Sequence, residues 1–404
     1  MRYEFRFAIA TLLSGLSFAV LALIIPLLSY EMKLSLTENS FLLGIFSLAI
    51  ILFSPLWGTL SDRWRQRKPF LVIGTLVFAL ASLLQFFTSN FIELLVLRFI
   101  QGAAFATNSM LTALFSDYFG ARASRSFGFF SAANALGFGI GSLGAGIVAE
   151  GLGVHAAFIL SAGMALLGAL VIQVGLPESP PSERPAVKDP LPSGLSYLYA
   201  TVFVRQSAAM ALWSIFPIYL TNFVSNKALI GAVNSSNMLV QPIFMVLMGR
   251  LAERFNKLWL VLWGIIGSIV TFAVYAIASN VWLIVLGQIM IAISWSAMSI
   301  GLNLYLIERV SEGARGRAFG YLQASFTTAA AMGPFLGGPL SDAFGVHKMI
   351  LIVGGLMALS LPFLWRLRVL EPKSRAFAKA PTTQKPLDNS AIAGDVHSAP
   401  DEIL

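Results

Sequence analysis

Apolar runs long enough to cross a membrane recur along this chain, separated by short polar turns. They fall at about 7–29, 40–60, 70–88, 91–115, 127–149 and 154–176, and again at about 197–221, 228–248, 258–278, 281–306, 319–340 and 348–367. A helix needs roughly 20 mostly apolar residues to span a bilayer. In hydrocarbon every backbone group must find its partner internally, and the alternating strands of about ten residues that build a membrane barrel are not seen. The pattern therefore predicts an all-α integral membrane fold with 12 transmembrane helices. Pro177 to Ser196 is rich in Pro, Ser and charge and reads as a linker, not a helix. After Glu371 the apolar runs stop and Pro, Ser, Thr and Lys dominate, as in a disordered tail. The expected organisation is a six-helix bundle over 1–176, a cytoplasmic linker over 177–196, a second six-helix bundle over 197–370 and a disordered cytoplasmic tail over 371–404.

Composition agrees. Of 404 residues, 57% are hydrophobic and 11% charged, whereas a soluble domain carries about a quarter charged. There is no cysteine, which excludes disulfides, thiol chemistry and cysteine-bound metal. The net charge of +8 sits in short turns, so it speaks of topology and not of nucleic acid. One set of turns carries Arg63, Arg65, Arg67, Lys68, Arg122, Arg125, Arg250, Arg254, Lys257, Arg309, Arg315 and Arg317, and the linker adds Arg184 and Lys188. The opposite set carries only Lys33, Lys227 and Lys348. The positive-inside rule then places both termini and the linker in the cytoplasm, in a multi-pass protein of the cytoplasmic (inner or plasma) membrane. The N-terminus runs directly into the first span without a small-residue cleavage site, as an uncleaved span does.

The halves repeat at an offset of about 191 residues. Pro26 matches Pro217, Gly58-Thr-Leu-Ser-Asp62-Arg63 matches Gly249-Arg-Leu-Ala-Glu253-Arg254, Arg125-Ser-Phe-Gly128 matches Arg317-Ala-Phe-Gly320, and Gly153-Val-His155 matches Gly345-Val-His347. Repeats of this kind mark secondary transporters. At these residues the chain resembles the major facilitator superfamily. The loop Gly58 to Lys68 looks like that family's signature of a Gly, an Asp-Arg pair and a basic cluster, with Arg65 where a second Gly is common, so the sharp turn is expected to differ. Arg98-Phe-Ile-Gln101-Gly102 in span 4 and Gly333-Pro334-Phe-Leu-Gly337-Gly338 in span 11 are further matches. The last is similar to an antiporter motif of span 5, where this chain has Gly141-Ser142-Leu-Gly144-Ala-Gly146, with Ser142 in place of the proline.

The resemblance implies that Asp62 caps the positive end of span 11 and that Glu253 does the same for span 5. Arg63, Arg67 and Asp117 in one half, and Arg254, Lys257 and Glu308 in the other, would complete ion-pair networks that hold the cytoplasmic ends together when the protein faces outward and break when it opens inward. The plainer alternative is that these arginines only satisfy the positive-inside rule. Gly58 and Gly249 belong to the same motif. Gly141, Gly144, Gly333, Pro334, Gly337 and Gly338 give spans 5 and 11 small surfaces, read either as close packing or as bending points between the halves.

Polar groups inside a span are costly and point to function. Arg98 begins a stripe with Gln101, Phe105, Asn108 and Thr112, and steps of three and four put these on one helix face. Arg205 is the cation of span 7. Span 8 adds Asn234, Asn237 and Gln241, and span 10 adds Trp295 and Asn303; spans 9 and 12 have no Asn, Gln or charge in their middles. Spans 4, 7, 8 and 10 are therefore expected to line a wet cavity, with 9 and 12 facing lipid. The alternative for any one amide is a hydrogen bond between helices. All 19 acidic residues fall in loops, in the tail or at span ends. No buried group for proton coupling is thus evident, and an anionic solute is favoured over a cationic one.

The expected activity is secondary transport of a small organic solute by alternating access, with export of drugs or metabolites in the lead. Uptake or exchange of an organic anion or sugar is the alternative, and a non-transporting receptor or scaffold is the reading from another class. No phosphate-binding loop, metal cluster or nucleophile–histidine pairing suggests an enzyme or a cofactor. The expected partners are the solute, the bilayer and at most a proton, in a monomer.

Overall fold

The structure, a computed structural model, describes residues 2–119, 123–178 and 189–375, and every regular element among them is helical. The first half holds α1 (Arg2–Glu31), α2 (Leu36–Trp64), α3 (Lys68–Gln85), α4 (Phe91–Phe105), α5 (Ser109–Phe119), α6 (Ala123–Leu152) and α7 (Ala156–Leu170). The second holds α8 (Leu195–Trp213), α9 (Phe216–Leu220), α10 (Lys227–Ala252), α11 (Lys257–Ala276), α12 (Val281–Arg309), α13 (Glu312–Phe344), α14 (Val346–Ala358) and α15 (Ser360–Arg375). Ten of the resulting helical passes are long and apolar enough to cross a membrane. The others, α8–α9 and α13, are diluted by Arg205, Gln206 and Ser207 in one and by Gly, Ser, Thr and Pro in the other.

Helices overrun the apolar runs at several ends, because caps and not hydropathy stop them. Ser35 and Glu38 form a reciprocal capping box on α2. Asn90, Asn226, Asn256 and Asn280 accept from the first turns of α4, α10, α11 and α12. Likewise α15 continues to Arg375, past the expected start of the tail at 371. Residues 179–188 of the linker and 376–404 of the tail lie outside the described residues. The turn after α2 is a correction: Arg65 adopts φ 53°, the left-handed geometry that a glycine there would supply. The sharp turn is thus kept without the glycine, at a cost of about 1 kcal/mol.

Within the first half, α1 packs on α6 and α7, and α3 lies against α4 and α7; within the second, α8 packs on α13, α14 and α15, and α11 on α12 and α14. The halves meet along α6–α10 and α2–α13. The buried apolar side chains are divided unevenly between the two ends. One large cluster unites the halves, with Leu28 and Ile25 of the first beside Phe216, Tyr219 and Ile230 of the second. At the end that carries the 65–67 turn and the linker, two separate clusters stand apart. One is built on Phe7, Phe70, Phe115 and Leu176, the other on Leu195, Leu258, Leu306 and Leu367. The molecule is therefore welded at the far end and divided at the linker end.

Candidate functional site

The site begins with a repeated proline. A proline lacks the N–H for the carbonyl four residues back and crowds it. In α1, Pro26 is carried inside a continuous helix; at the matching Pro217 the helix breaks, so that α8 stops at Trp213 and α9 starts at Phe216. The break frees the Ser214 carbonyl, which accepts from Asn39 Nδ2 of α2 at 2.9 Å, while Ser40 and Ser214 hydroxyls lie 3.3 Å apart. These contacts join the halves directly above a cavity of about 410 Å³, a volume ordinary for a small-molecule site.

The cavity lies between the halves. Its wall takes Phe18 from α1, Phe46 from α2 and Arg98 from α4. From the second half come Arg205, Gln206, Trp213 and Ser214, Asn234, Asn237 and Gln241 of α10, Trp295 of α12 and Pro334 of α13. No carboxylate or histidine lines it among the described residues. Six expected cavity residues, Arg98, Arg205, Asn234, Asn237, Gln241 and Trp295, are brought together here. Three others are not. Gln101 is buried behind Arg98, Asn108 bonds Ser14 at 2.8 Å beside a separate small pocket, and Asn303 bonds the Ser299 carbonyl one turn back along α12. Helical spacing alone put Gln101 and Asn108 on the Arg98 stripe; a turn of 3-10 helix over Ala106–Asn108 rotates Asn108 off it. Gln206, Trp213 and Ser214 were missed, and the Arg205-Gln206 pair followed by Trp213 in a weakly apolar span was the available signal.

The two guanidinium groups are held differently. Arg98 donates from Nε to the Leu42 carbonyl at 3.3 Å and from Nη1 to Gln101 Oε1 at 2.6 Å, and lies 4.1 Å over the Phe46 ring. Gln101 in turn donates to Ser82 at 2.8 Å. Arg98 thus ties α2, α3 and α4 together. Arg205 donates to Gln206 Oε1 at 2.8 Å and to Ser268 Oγ of α11 at 2.6 Å, lies 5.4 Å from the Trp295 ring, and leaves Nε without a partner. Asn237 is braced by Gln288 at 3.0 Å, which is itself held by Tyr275 at 3.1 Å and by the Val233 carbonyl at 2.9 Å.

Around the cavity the two ends are in opposite states. At the far end Asp342 of α13 accepts from the backbone N–H groups of Leu36 and Thr37, and Glu150 of α6 accepts from that of Lys227, whose ammonium also pairs with Glu31. Each carboxylate meets the positive N-terminus of a helix in the other half. Small residues permit the approach. A side chain on Gly231 would meet Gly146 Cα at 3.0 Å, and one on Gly338 would strike Ser40 and the Leu36 carbonyl. Asn234 donates to Ser142, the residue standing in place of the motif proline, at 2.9 Å. Gly141 packs on Leu16 of α1, and Gly333 and Gly337 on Ala211 of α8, so these serve packing within a half; Gly144 meets only Leu160 at 3.9 Å.

At the linker end the motif residues act within each half. Arg67 pairs with Asp117 at 2.7 Å and Asp62 at 3.4 Å, and Lys257 pairs with Glu308 at 2.8 Å. Arg63, Glu253 and Arg254 are exposed outside these pairs. Gly58, Gly249, Gly316 and Gly320 face open space. With the linker end open, Asp62 meets Arg67, and among the described residues it makes no cap on span 11, a contact expected of the outward-facing state. Sequence reading missed the caps at the other end, although Glu150 and Asp342 obey the same repeat as Gly153 and Gly345.

Two helical bundles around a shared cavity, sealed at one end, define a membrane transporter. The family profile described as Major Facilitator Superfamily matches residues 7–196 and 198–397, and the chain belongs to that family, whose members are transporters and not enzymes. The multi-drug resistance efflux pump PmrA of Streptococcus pneumoniae is 23% identical over 370 residues, covering 87% of this chain and 92% of that protein. Multidrug resistance protein 2 of Bacillus subtilis is 25% identical over 380 residues, covering 87% and 92%. Among solved structures, a bacterial homologue of the human lysosomal transporter Spinster, inward-facing and unoccupied, superposes with a TM-score of 0.76 at 15% identity, covering 93% of this chain and 97% of that one. The nucleoside transporter NupG gives 0.74 at 14%, covering 91% and 99%. At such identities the structures share the fold alone.

Proposed function

We propose that this protein is a twelve-pass secondary transporter of the plasma membrane that exports small organic solutes by alternating access, with both termini and the linker in the cytoplasm. The observation that carries the proposal is the cavity roofed by the Asn39–Ser214 contact while the apolar core beneath divides in two. With the linker end in the cytoplasm, this is the state that loads solute from inside. Rocking of the halves would open the Glu150 and Asp342 caps and bring Asp62 and Glu253 across the linker end. Export is supported by the relatives described as efflux pumps. Uptake or exchange of an organic anion or sugar is the second reading, favoured by two cations and, among the described residues, no carboxylate in the cavity wall. Everted vesicles test direction: an exporter accumulates fluorescent dye inside them when energised, and the uptake reading expects accumulation in right-side-out vesicles instead.

A further inference from the structure

Resting on that reading, we infer that the cavity carries an anion subsite centred on Arg205, and that its preferred solutes are aromatic organic acids, the ring held by Trp295 and the acid group by the guanidinium. Arg205 is 2% exposed, yet both acceptors it reaches, Gln206 and Ser268, are neutral. A buried charge that meets only neutral acceptors is costly until an opposite charge arrives. No carboxylate lines the cavity among the described residues, so the wall does not provide it. Nε remains without a partner, so the hydrogen bonds of the wall leave the guanidinium incompletely satisfied.

Arg98 is committed to Gln101 and to the Leu42 carbonyl, and its work is to join helices. It adds to the positive field, but Nε and Nη1 are already taken by groups on its own half and, among the described residues, no aromatic plate like Trp295 is joined to it from the second half. Arg205 sits beside the Trp295 indole, whose other neighbour is Phe326 at 5.7 Å in an edge-to-face contact. An indole fixed in this way offers a plate for an aromatic ring with its acid group directed at the guanidinium, and guanidinium geometry matches a planar carboxylate. The same wall disfavours cationic aromatics, which would face two guanidinium groups.

The test uses purified full-length protein in detergent, with naphthoate and its neutral isostere naphthamide as probes, binding being followed by intrinsic tryptophan fluorescence and by calorimetry. Naphthoate is expected to bind at least about tenfold more tightly than naphthamide, a difference of about 1.4 kcal/mol. Arg205→Gln is expected to abolish that preference while retaining naphthamide binding, and Arg205→Lys to restore part of it. Trp295→Leu is expected to weaken both probes and leave their ratio unchanged. Equal affinities in the wild type overturn the inference, whether or not Arg205→Gln folds. So do a preference that survives Arg205→Gln and the absence of naphthoate binding at millimolar concentration. Failure of the transport reading looks different: an Arg205-dependent preference in binding with no naphthoate flux in proteoliposomes would sink transport and leave the subsite standing. Flux of neutral dyes without any acid preference would do the reverse.

Discussion

Glu150 and Asp342 stand at matching places in the two halves, and each carboxylate closes on the first turn of a helix in the other half. Glu150 accepts from Lys227 N at 2.6 Å, and Asp342 from Thr37 N at 2.8 Å and Leu36 N at 3.1 Å. The twofold repeat of the chain has become a pair of latches on one end of the cavity. A latch of this kind is worth about 0.5–1 kcal/mol, as helix caps generally are. Replacing both residues with alanine is therefore expected to raise the outward-open population roughly five- to thirtyfold. The chain has no cysteine, so Met238→Cys on the cavity wall reports the change cleanly. Its alkylation by an impermeant maleimide added outside should accelerate by that factor; an unchanged rate would mean the carboxylates do not hold the end shut.

The glycine contact between α6 and α10 sets how closely the halves meet. A side chain on Gly146 would strike the Lys227 carbonyl, and one on Gly231 would lie 2.8 Å from the Ser142 carbonyl. Gly146→Val is expected to wedge the far end apart, increase outside alkylation at Met238→Cys and stop net transport, with the protein still monodisperse. Gly144→Ala, whose nearest neighbour is 3.9 Å away, is the matched control and should transport normally.

Arg98 and Arg205 are expected to fail in different ways. Arg98→Leu removes the donors of the Leu42 carbonyl and Gln101, leaving buried acceptors short of partners at a cost of about 1–3 kcal/mol. Its thermal unfolding midpoint in detergent should fall by several degrees. Arg205→Gln removes a buried charge that has no carboxylate partner in the cavity wall among the described residues and keeps an amide that can still donate, so it should change solute binding more than stability. Equal loss of stability in both variants would contradict the division of labour drawn between them.

The basic loop makes a graded prediction. The Asp117 side chain is 11% exposed and 2.7 Å from Arg67, whereas that of Asp62 is 59% exposed and 3.4 Å away. Asp117→Ala should cost about 1–2 kcal/mol of stability, since it strands a half-buried arginine. Asp62→Ala should leave the unfolding midpoint unchanged, as exposed pairs usually do. Its expected effect is on transport, because its proposed partner is the start of α13 in the other state of the carrier.

The all-helical membrane fold and the family were legible because each rests on local pattern: apolar length, proline and glycine spacing, and charges at turns. Much of the cavity wall was legible for a related reason, since Arg205 or Asn237 inside an apolar run has few explanations. Asn108 and Asn303 misled because an amide inside a helix is also satisfied by a local neighbour, here Ser14 and the Ser299 carbonyl. Trp213 and Ser214 escaped notice because their role follows from the break at Pro217, and the same proline at position 26 breaks nothing. The latches escaped because carboxylates at span ends look like ordinary loop charges until the opposite helix is in view.

The central claim is transport through this cavity by opening and closing its two ends, and a reversible lock tests it most directly. Thr37 and Asp342 already touch across the halves, so cysteines at both positions in this cysteine-free chain form a clasp on the far end. In proteoliposomes loaded with naphthoate, oxidation of that pair should stop saturable, protein-dependent flux, and reductant should restore it. Undiminished flux with the clasp fully formed would contradict the account.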